Sequence, residues 1–441
     1  MICQKTVFFT IGTMLQPIRL SNEFQGVLDQ LEKENNHFFV TGKAGSGKST
    51  LLNLFRNTTK KRMVVLAPTG IAALHVRGQT IHSFFGFPPR ILNKHEIEKR
   101  KNNSVYRKVE TIVIDEISMV RADVLDNIDY FLRINRGINE PFGGVQMVFF
   151  GDLFQLPPVV ATPFEREYFR TTYTSPYFFS ALCMAETDFV LLELFEEYRQ
   201  TDRKFIRLLD AIRQNEIDYD DMTELNERFV DVPENKDFYI TLCSRNDIAN
   251  QINQRELDQI TQPVFEYHAY VEGDFVAQLF PTDFVLRLKR DAQVMFIKND
   301  INKQYVNGTI GKIKHLEEDK ITVSVLNQNH EVIDVDIDKT EWEIIRYEQD
   351  HQDPMRINAK TVGLYRQYPL KLAWAITIHK SQGKTFEKVI IDLGQGAFEA
   401  GQTYVALSRC KSFEGIILKS PVKPRDIFVN PEIVEFYQRM R

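Results

Sequence analysis

"GKAGSGKST", Gly42 to Thr50, decides the fold of this chain. From Gly42 to Ser49 it fits G-x-x-x-x-G-K-[ST], it follows the strand-like run "HFFVT", and it opens the helically spaced "TLLNLF". Glycines there let successive backbone N–H groups wrap a phosphate, and the helix N-terminus adds the positive end of its dipole. Lys48 is placed to reach the outer phosphates of a nucleotide and Ser49 to ligate Mg²⁺. A chance glycine-rich turn would lack the strand before it and the helix after it. Strand, loop and helix in this order belong to a parallel sheet with crossover helices, in which ligands bind at the carboxyl ends of the strands.

Further strand-like runs, "RMVVLAP", "TIVIDE" and "QMVFFGD", each lead straight into a polar or glycine-containing loop. The second ends in Asp115 and Glu116, about seventy residues beyond the phosphate loop. Asp115 is suited to the Mg²⁺ shell and Glu116 to polarising an attacking water as general base. Two carboxylates at a strand end are commonly a solvated turn, but beside a phosphate loop they favour hydrolysis over passive nucleotide binding. In "GDLFQLPPV", Gln155 offers a neutral amide to a γ-phosphate or its water. Phosphoryl transfer also uses a late-arriving positive charge, worth about 10³ to 10⁵ in rate. Arg199 in "EEYRQTDR" and Arg409 in "YVALSRC" are the candidates, and if they point across a cleft, ATP gates domain closure. A second "GKT", in "TIHKSQGKT" from Thr377 to Thr385, fails as a phosphate loop. Ile378 stands where the first glycine belongs, and the strand-like "KVIIDLG" follows rather than precedes it. One ATP site is expected.

The chain has 441 residues, enough for two or three domains, and no apolar run approaches the eighteen or so residues of a membrane span. The opening "MICQKTVFFTIGTML" is broken by Thr10 and Thr13 and lacks a small-x-small cleavage site, so it reads as part of the mature chain. Cys3, Cys183, Cys243 and Cys410 form no C-x-x-C pair, which points to buried thiols in a reducing compartment rather than a zinc cage or disulfide framework. A net charge of −5 excludes a bulk polyanion coat, although Lys60, Lys61, Arg62 and the basic segment from Lys94 to Lys108 leave room for a local basic groove. Between residues 262 and 349 the texture becomes short alternating segments with turn residues between them, the pattern of a small antiparallel barrel. Helical texture then gives way to "KVIIDLG". The simplest architecture is two α/β domains, the second interrupted by an all-β insertion.

Together these motifs resemble those of superfamily-one helicases, and within them the type-B, RecD-like branch and the petite-integration-frequency family of DNA helicases. The matching pieces include "GKAGSGKST", "APTGIAA", "TIHSFFG", "VIDEISM", "GDLFQLPPV", "YRQ", "QYVNGTIGKI", "LKLAWAITIHKSQGKTFEKV" and "YVALSRCK", spread over nearly the whole chain. "EISMVRADVLDNIDYFLRINR", Glu116 to Arg136, resembles the segment that separates this family from its RecD relatives.

The resemblance implies two RecA-like P-loop domains with an SH3-like β-barrel in the second. The expected bounds are 1–185 with a wedge-like insertion near 76–108, then 186–261 with 363–441, and 262–362 for the barrel. It implies an ATP- and Mg²⁺-dependent helicase moving 5′-to-3′ on single-stranded DNA and opening duplex forks. Lys48, Ser49, Asp115, Glu116, Gln155, Arg199 and Arg409 would serve hydrolysis. Gln25 in "LSNEFQGVL" would read the adenine, Gly42, Ala44, Gly45, Ser46, Gly47 and Thr50 would line the phosphates, and Gly383 would lie near the domain interface. Thr69, Gly70, Thr80, Lys380 and Ser381 would meet the DNA backbone, while His82, Phe84 and His379 would offer flat faces to bases, worth about 1 to 3 kcal/mol each. Without the resemblance, Phe84 and Phe85 would be core residues and His82 a satisfied buried histidine. Family expectation further adds G-quadruplex DNA as a substrate, genome maintenance as the setting, a monomer without membrane attachment, and a place in the bacterial cytoplasm or nucleoid or in a eukaryotic nucleus or mitochondrion. The rival readings are an ATPase acting on RNA and a non-motor, ATP-switched DNA-binding protein.

Overall fold

The structure is a computed structural model that describes residues 7–11, 14–18, 21–200, 202–300, 304–326, 331–350, 353 and 356–440. The first α/β unit is a six-stranded parallel sheet. Its spatial order is Gln79–Thr80, Met63–Ala67, Thr111–Ile114, Gln146–Phe150, His37–Gly42 and Phe189–Leu194. Its central strands are apolar on both faces because helices cover both. Phe38 and Val40 point into the core under the helices Asn22–Lys33 and Lys48–Thr58, whereas Phe39 points into the opposite core under Ala122–Arg136. The last of these helices carries acidic residues inward. Asp126 accepts from the backbone N–H groups of Leu182 and Cys183, and Asp129 accepts from that of Phe142. Its polar side chains therefore anchor the loops that follow rather than facing solvent.

The second unit is a four-stranded parallel sheet in the order Ala375–Thr377, Ile240–Cys243, Val389–Asp392 and Ile416–Leu418. The insertion between its strands is antiparallel β. One five-stranded sheet runs Val332–Ile337, Ile321–Leu326, Ile310–Leu316, Gln293–Phe296 and Leu370–Leu372, and a three-stranded sheet runs Tyr270–Gly273, Ile357–Gln367 and Thr340–Gln349. The fold is thus two RecA-like parallel-sheet units with a β insertion in the second.

The limits of these units differ from those read off the sequence. Phe189–Leu194 pairs with His37–Gly42 and carries the first sheet beyond residue 185. Leu370–Leu372 pairs with Gln293–Phe296 and carries the insertion beyond residue 362. Ile357–Gln367, in a stretch of helical texture, is a strand because it is paired on both edges. The helix Pro431–Met440, expected with the second unit, lies against the first, where Phe436 stacks on Phe179 at 4.6 Å and Tyr437 on Phe154 at 5.3 Å. Of the wedge-like segment, Phe84, Phe85 and Phe87 are buried against Tyr106 and Phe131. Cys183, Cys243 and Cys410 are buried free thiols, while Cys3 and the chain start, Met1 to Thr6, lie outside the described residues. Among the described residues no helix is long and apolar enough to cross a membrane.

Candidate active site

The phosphate loop joins the strand His37–Gly42 to the helix Lys48–Thr58, with Gly42, Gly45 and Gly47 all at positive φ. All three are also crowded, Gly42 by Ser46 Oγ and the Leu194 carbonyl, which a Cβ would meet at 2.6 and 2.8 Å. A Cβ on Gly45 would meet Arg199 Cβ at 2.6 Å, and one on Gly47 would meet Phe24 Cζ at 2.7 Å, so only glycine fits. The side chains of Arg199 and Tyr198 therefore lie over the loop. Lys48 is held inside it, donating from Nζ to the carbonyl oxygens of Gly42 at 2.6 Å and Lys43 at 2.8 Å, and burial pushes its pKa down to about 8. Ala44 and Ser46 are buried in the loop, and Ser49 and Thr50 are exposed at the start of the helix.

Behind the loop, Asp115 and Glu116 end the strand Thr111–Ile114, and Glu116 adopts a left-handed backbone at φ 51°. Burial pushes the pKa of both carboxylates up, that of Asp115 further through the charge of Glu116, while Lys48 and Arg409 pull Glu116 back down. The buried Asp115 carboxylate and the exposed Ser49 hydroxyl are oxygen donors of the kind that suits Mg²⁺, a hard cation usually held by one or two protein ligands together with phosphate. Gln155 is buried beside Asp152, with Nε2 donating to Asp152 Oδ2 at 3.4 Å.

Both candidate arginines converge here. Arg409 is 1% exposed, donating from Nε to Val405 O at 2.9 Å and from Nη2 to Ser408 Oγ at 2.8 Å, and its charge acts on Glu116. Arg199 donates to Ser408 O at 3.0 Å, and Gln200 donates to the carbonyls of Ser408 and Cys410. The segment after the first sheet thereby grips the end of the helix Gln402–Leu407 of the second unit. Gln25 follows Phe24, whose ring end faces Gly47 of the loop. It sits on the helix Asn22–Lys33, and its Nε2 donates to Asp29 Oδ1 at 2.9 Å.

The expected nucleic-acid residues are gathered in two loops, and several are engaged elsewhere. Thr69 and Thr80 cap short helices, accepting from the N–H groups of Ala72 and Ser83. Gly70 lies under Leu279 of the insertion, whose Cδ2 would be 2.2 Å from a Cβ there. His82 is half-buried, and burial lowers its pKa. Phe84, expected to stack on bases, is 5% exposed and packed edge-on to Phe85, Tyr106 and Tyr347, so its ring belongs to the core. In the second loop His379 pairs with Glu399 at 2.9 Å, Lys380 is exposed, Gly383 has open space around it, and Ser381 is fully buried, donating to Ile378 O at 2.7 Å. The long hairpin formed by Thr340–Gln349 and Ile357–Gln367 closes over the first loop. Tyr347 Oη accepts from Val65 N–H at 3.0 Å, and Tyr347 N–H donates to Gln79 Oε1 at 3.3 Å.

Sequence reasoning missed four residues that complete the site: Tyr198, Asp152, Arg213 and Tyr404. Arg213 lies in "RKFIRLLDAIRQ", where it reads as the solvated face of an amphipathic helix. Asp152 had a usable signal, because it follows the strand Gln146–Phe150 by one glycine, much as Asp115 follows its own strand.

The PIF1-like helicase family model matches residues 19–223. Over 97% of this chain, the ATP-dependent DNA helicase PIF1 of Xenopus laevis is 33% identical, and this chain spans 66% of that protein's length. The ATP-dependent DNA helicase Pif1 of Bdellovibrio bacteriovorus is 33% identical over 96% of this chain and 92% of its own. Among solved structures, Bacteroides Pif1 is matched over 96% of this chain and 97% of its own. Its unliganded form gives 38% identity and a TM-score of 0.87, its ADP-AlF4 complex 37% and 0.87, and its complex with single-stranded DNA 37% and 0.67.

Proposed function

We infer the activity from one premise: this chain belongs to the PIF1-like helicase family. It spans just under two thirds of the length of its Xenopus laevis and Danio rerio relatives, so their activity and substrates are proposed for it rather than transferred whole. It hydrolyses ATP with Mg²⁺ and uses the energy to move 5′-to-3′ along single-stranded DNA and open duplex forks, inside the cell where that DNA lies.

The observation that carries the proposal is the convergence of two units on one phosphate site. Lys48, Asp115, Glu116 and Gln155 come from the first unit, and Arg409, with the helix that Arg199 grips, from the second. In this reading Lys48 exchanges the Gly42 and Lys43 carbonyls for nucleotide phosphate oxygens, Ser49 and Asp115 would hold the cation, and Glu116 takes a proton from the attacking water. Mg²⁺ bound there would neutralise charge on the phosphates. Arg199 and Arg409 leave their backbone carbonyls to meet charge developing on the γ-phosphate, which ties hydrolysis to closure of the cleft. The closer likeness to the unliganded and ADP-AlF4 forms of Bacteroides Pif1 than to its single-stranded DNA complex supports one further step. The insertion hairpin leaves the first DNA loop when DNA binds.

Two assays test the proposal. Forks with a 5′ or a 3′ tail, with and without ATP, should show ATP-dependent opening of the 5′-tailed fork alone, and Lys48→Ala should abolish it while DNA binding without nucleotide persists. ATPase rates that are equal with single-stranded DNA, RNA and no polymer would refute the helicase reading. The finer expectations are that one chain is the working unit and that a 5′-tailed G-quadruplex is resolved. Sedimentation of the DNA complex and a quadruplex-unfolding assay test these.

A further inference from the structure

A buried ion pair joins the two units directly behind the phosphate loop. Arg213 belongs to the helix Arg203–Gln214 of the second unit, and its Nη2 donates to Asp152 Oδ1 of the first at 3.0 Å. The side chains are 5% and 0% exposed. The guanidinium carbon stands 4.2 Å over the Phe154 ring, and Arg213 Nε is a buried donor without a partner. On its other oxygen Asp152 accepts from Tyr404 Oη at 3.3 Å, and that hydroxyl accepts from the Ala44 N–H at 2.9 Å, so the circuit reaches the loop's own backbone. The same helix grips the loop a second time, through Asp210 to Lys43, which Glu197 also meets at 3.3 Å.

The charges explain why such a costly arrangement is kept. A buried ion pair costs desolvation on both partners and contributes little net stability, yet removing one partner leaves an uncompensated charge. The charges acting on the Lys48 ammonium are Asp152 and Glu116, which attract it, and Arg213 and Arg199, which repel it, with Asp152 the strongest. Asp115, beside Glu116, also acts on Lys48. An unpaired Asp152 would compete with nucleotide phosphates for Lys48.

We propose that Arg213 is a positioning residue of the ATPase: by neutralising Asp152 from across the cleft it leaves Lys48 free for the nucleotide, so the second unit sets the first unit's affinity for ATP. The proposal rests on the phosphate-site reading above but not on the polymer substrate, and it is tested without DNA. Binding of a fluorescent ADP analogue and the KM for ATP are measured on the full chain, with thermal melting as the check of folding. Arg213→Met is expected to weaken ADP binding and raise KM at least about tenfold, with a much smaller change in kcat. Arg213→Met with Asp152→Asn should return both to within about threefold of the parent, because anion and cation leave together. Arg213→Lys, which keeps the charge and much of the volume, should stay within the same range and covers the case in which the methionine variant does not fold. An unchanged KM in folded Arg213→Met, a double variant as impaired as the single, or a tenfold loss in Arg213→Lys would each overturn the proposal. If single-stranded DNA fails to stimulate the ATPase while this order of affinities holds, the helicase reading fails and the role of Arg213 stands.

Discussion

Replacing Tyr347 by Phe removes one oxygen atom from the place where the insertion rests on the first unit. That oxygen accepts from the N–H of Val65 in the strand Met63–Ala67, at 3.0 Å. The neighbouring strand Gln79–Thr80 pairs only with Leu66 and Ala67, so Val65 N–H receives no ladder partner from it and relies on the tyrosine. Both residues are buried. Leaving that N–H buried and unpaired costs about 1 to 3 kcal/mol, whereas the undocked hairpin exposes it to water at no such cost. The docked state alone is penalised, so the balance moves towards the undocked form by about 5- to 150-fold. Since docking places Leu279 over Gly70, undocking uncovers the loop expected to meet DNA. Apparent affinity for single-stranded DNA should rise by up to that factor until the undocked form predominates. Anisotropy of a labelled oligothymidylate without nucleotide measures it directly. Unchanged or weaker binding by a variant whose melting shows an intact fold would refute the idea that the docked hairpin holds the DNA loop closed.

Two further outcomes concern stability. Phe436→Ala empties a buried aromatic site among Phe39, Phe178 and Phe179, and should cost about 3 to 5 kcal/mol in urea unfolding followed by intrinsic fluorescence; a loss under about 1 kcal/mol would mean that the C-terminal helix is not part of the first unit's core. His37 should make the fold acid-sensitive. Burial lowers its pKa from 6.5 to about 4, and its Nδ1 accepts from Met147 N–H, which a proton would prevent. Between these values the unfolded chain binds the extra proton, so stability contributed by this group is complete above pH 6.5 and falls by at most about 1.4 kcal/mol per pH unit down to about 4. Urea midpoints of the parent and His37→Gln across that range should diverge in slope, and parallel slopes would exclude the mechanism.

How much of this protein can be read without its structure depends on the range of the interaction involved. The phosphate loop was legible because its parts are consecutive: a strand, glycines at positive φ, Lys48 and a helix start need no distant partner to be recognised. Asp115, Glu116 and Gln155 were legible for the same reason, each ending or following an apolar strand. The alternating runs of the insertion likewise announced strands through the two-residue period of a half-buried sheet.

Tertiary structure alone decided the rest. The expected barrel ended at residue 362, inside "INAKTVGLYRQ"; pairing on both edges carries the strand through to Gln367. Phe84 was expected to stack on DNA through the resemblance, while its neighbour Phe85 was not; the hairpin above and the helix beneath commit both to the core. Arg213 looks like a surface arginine until two units meet around it. The sequence by itself determined which chemistry is present, because backbone conformation and reactive groups are specified within a few residues. The structure decided which of those groups are free and which are held, because that depends on desolvation and pairing between segments hundreds of residues apart.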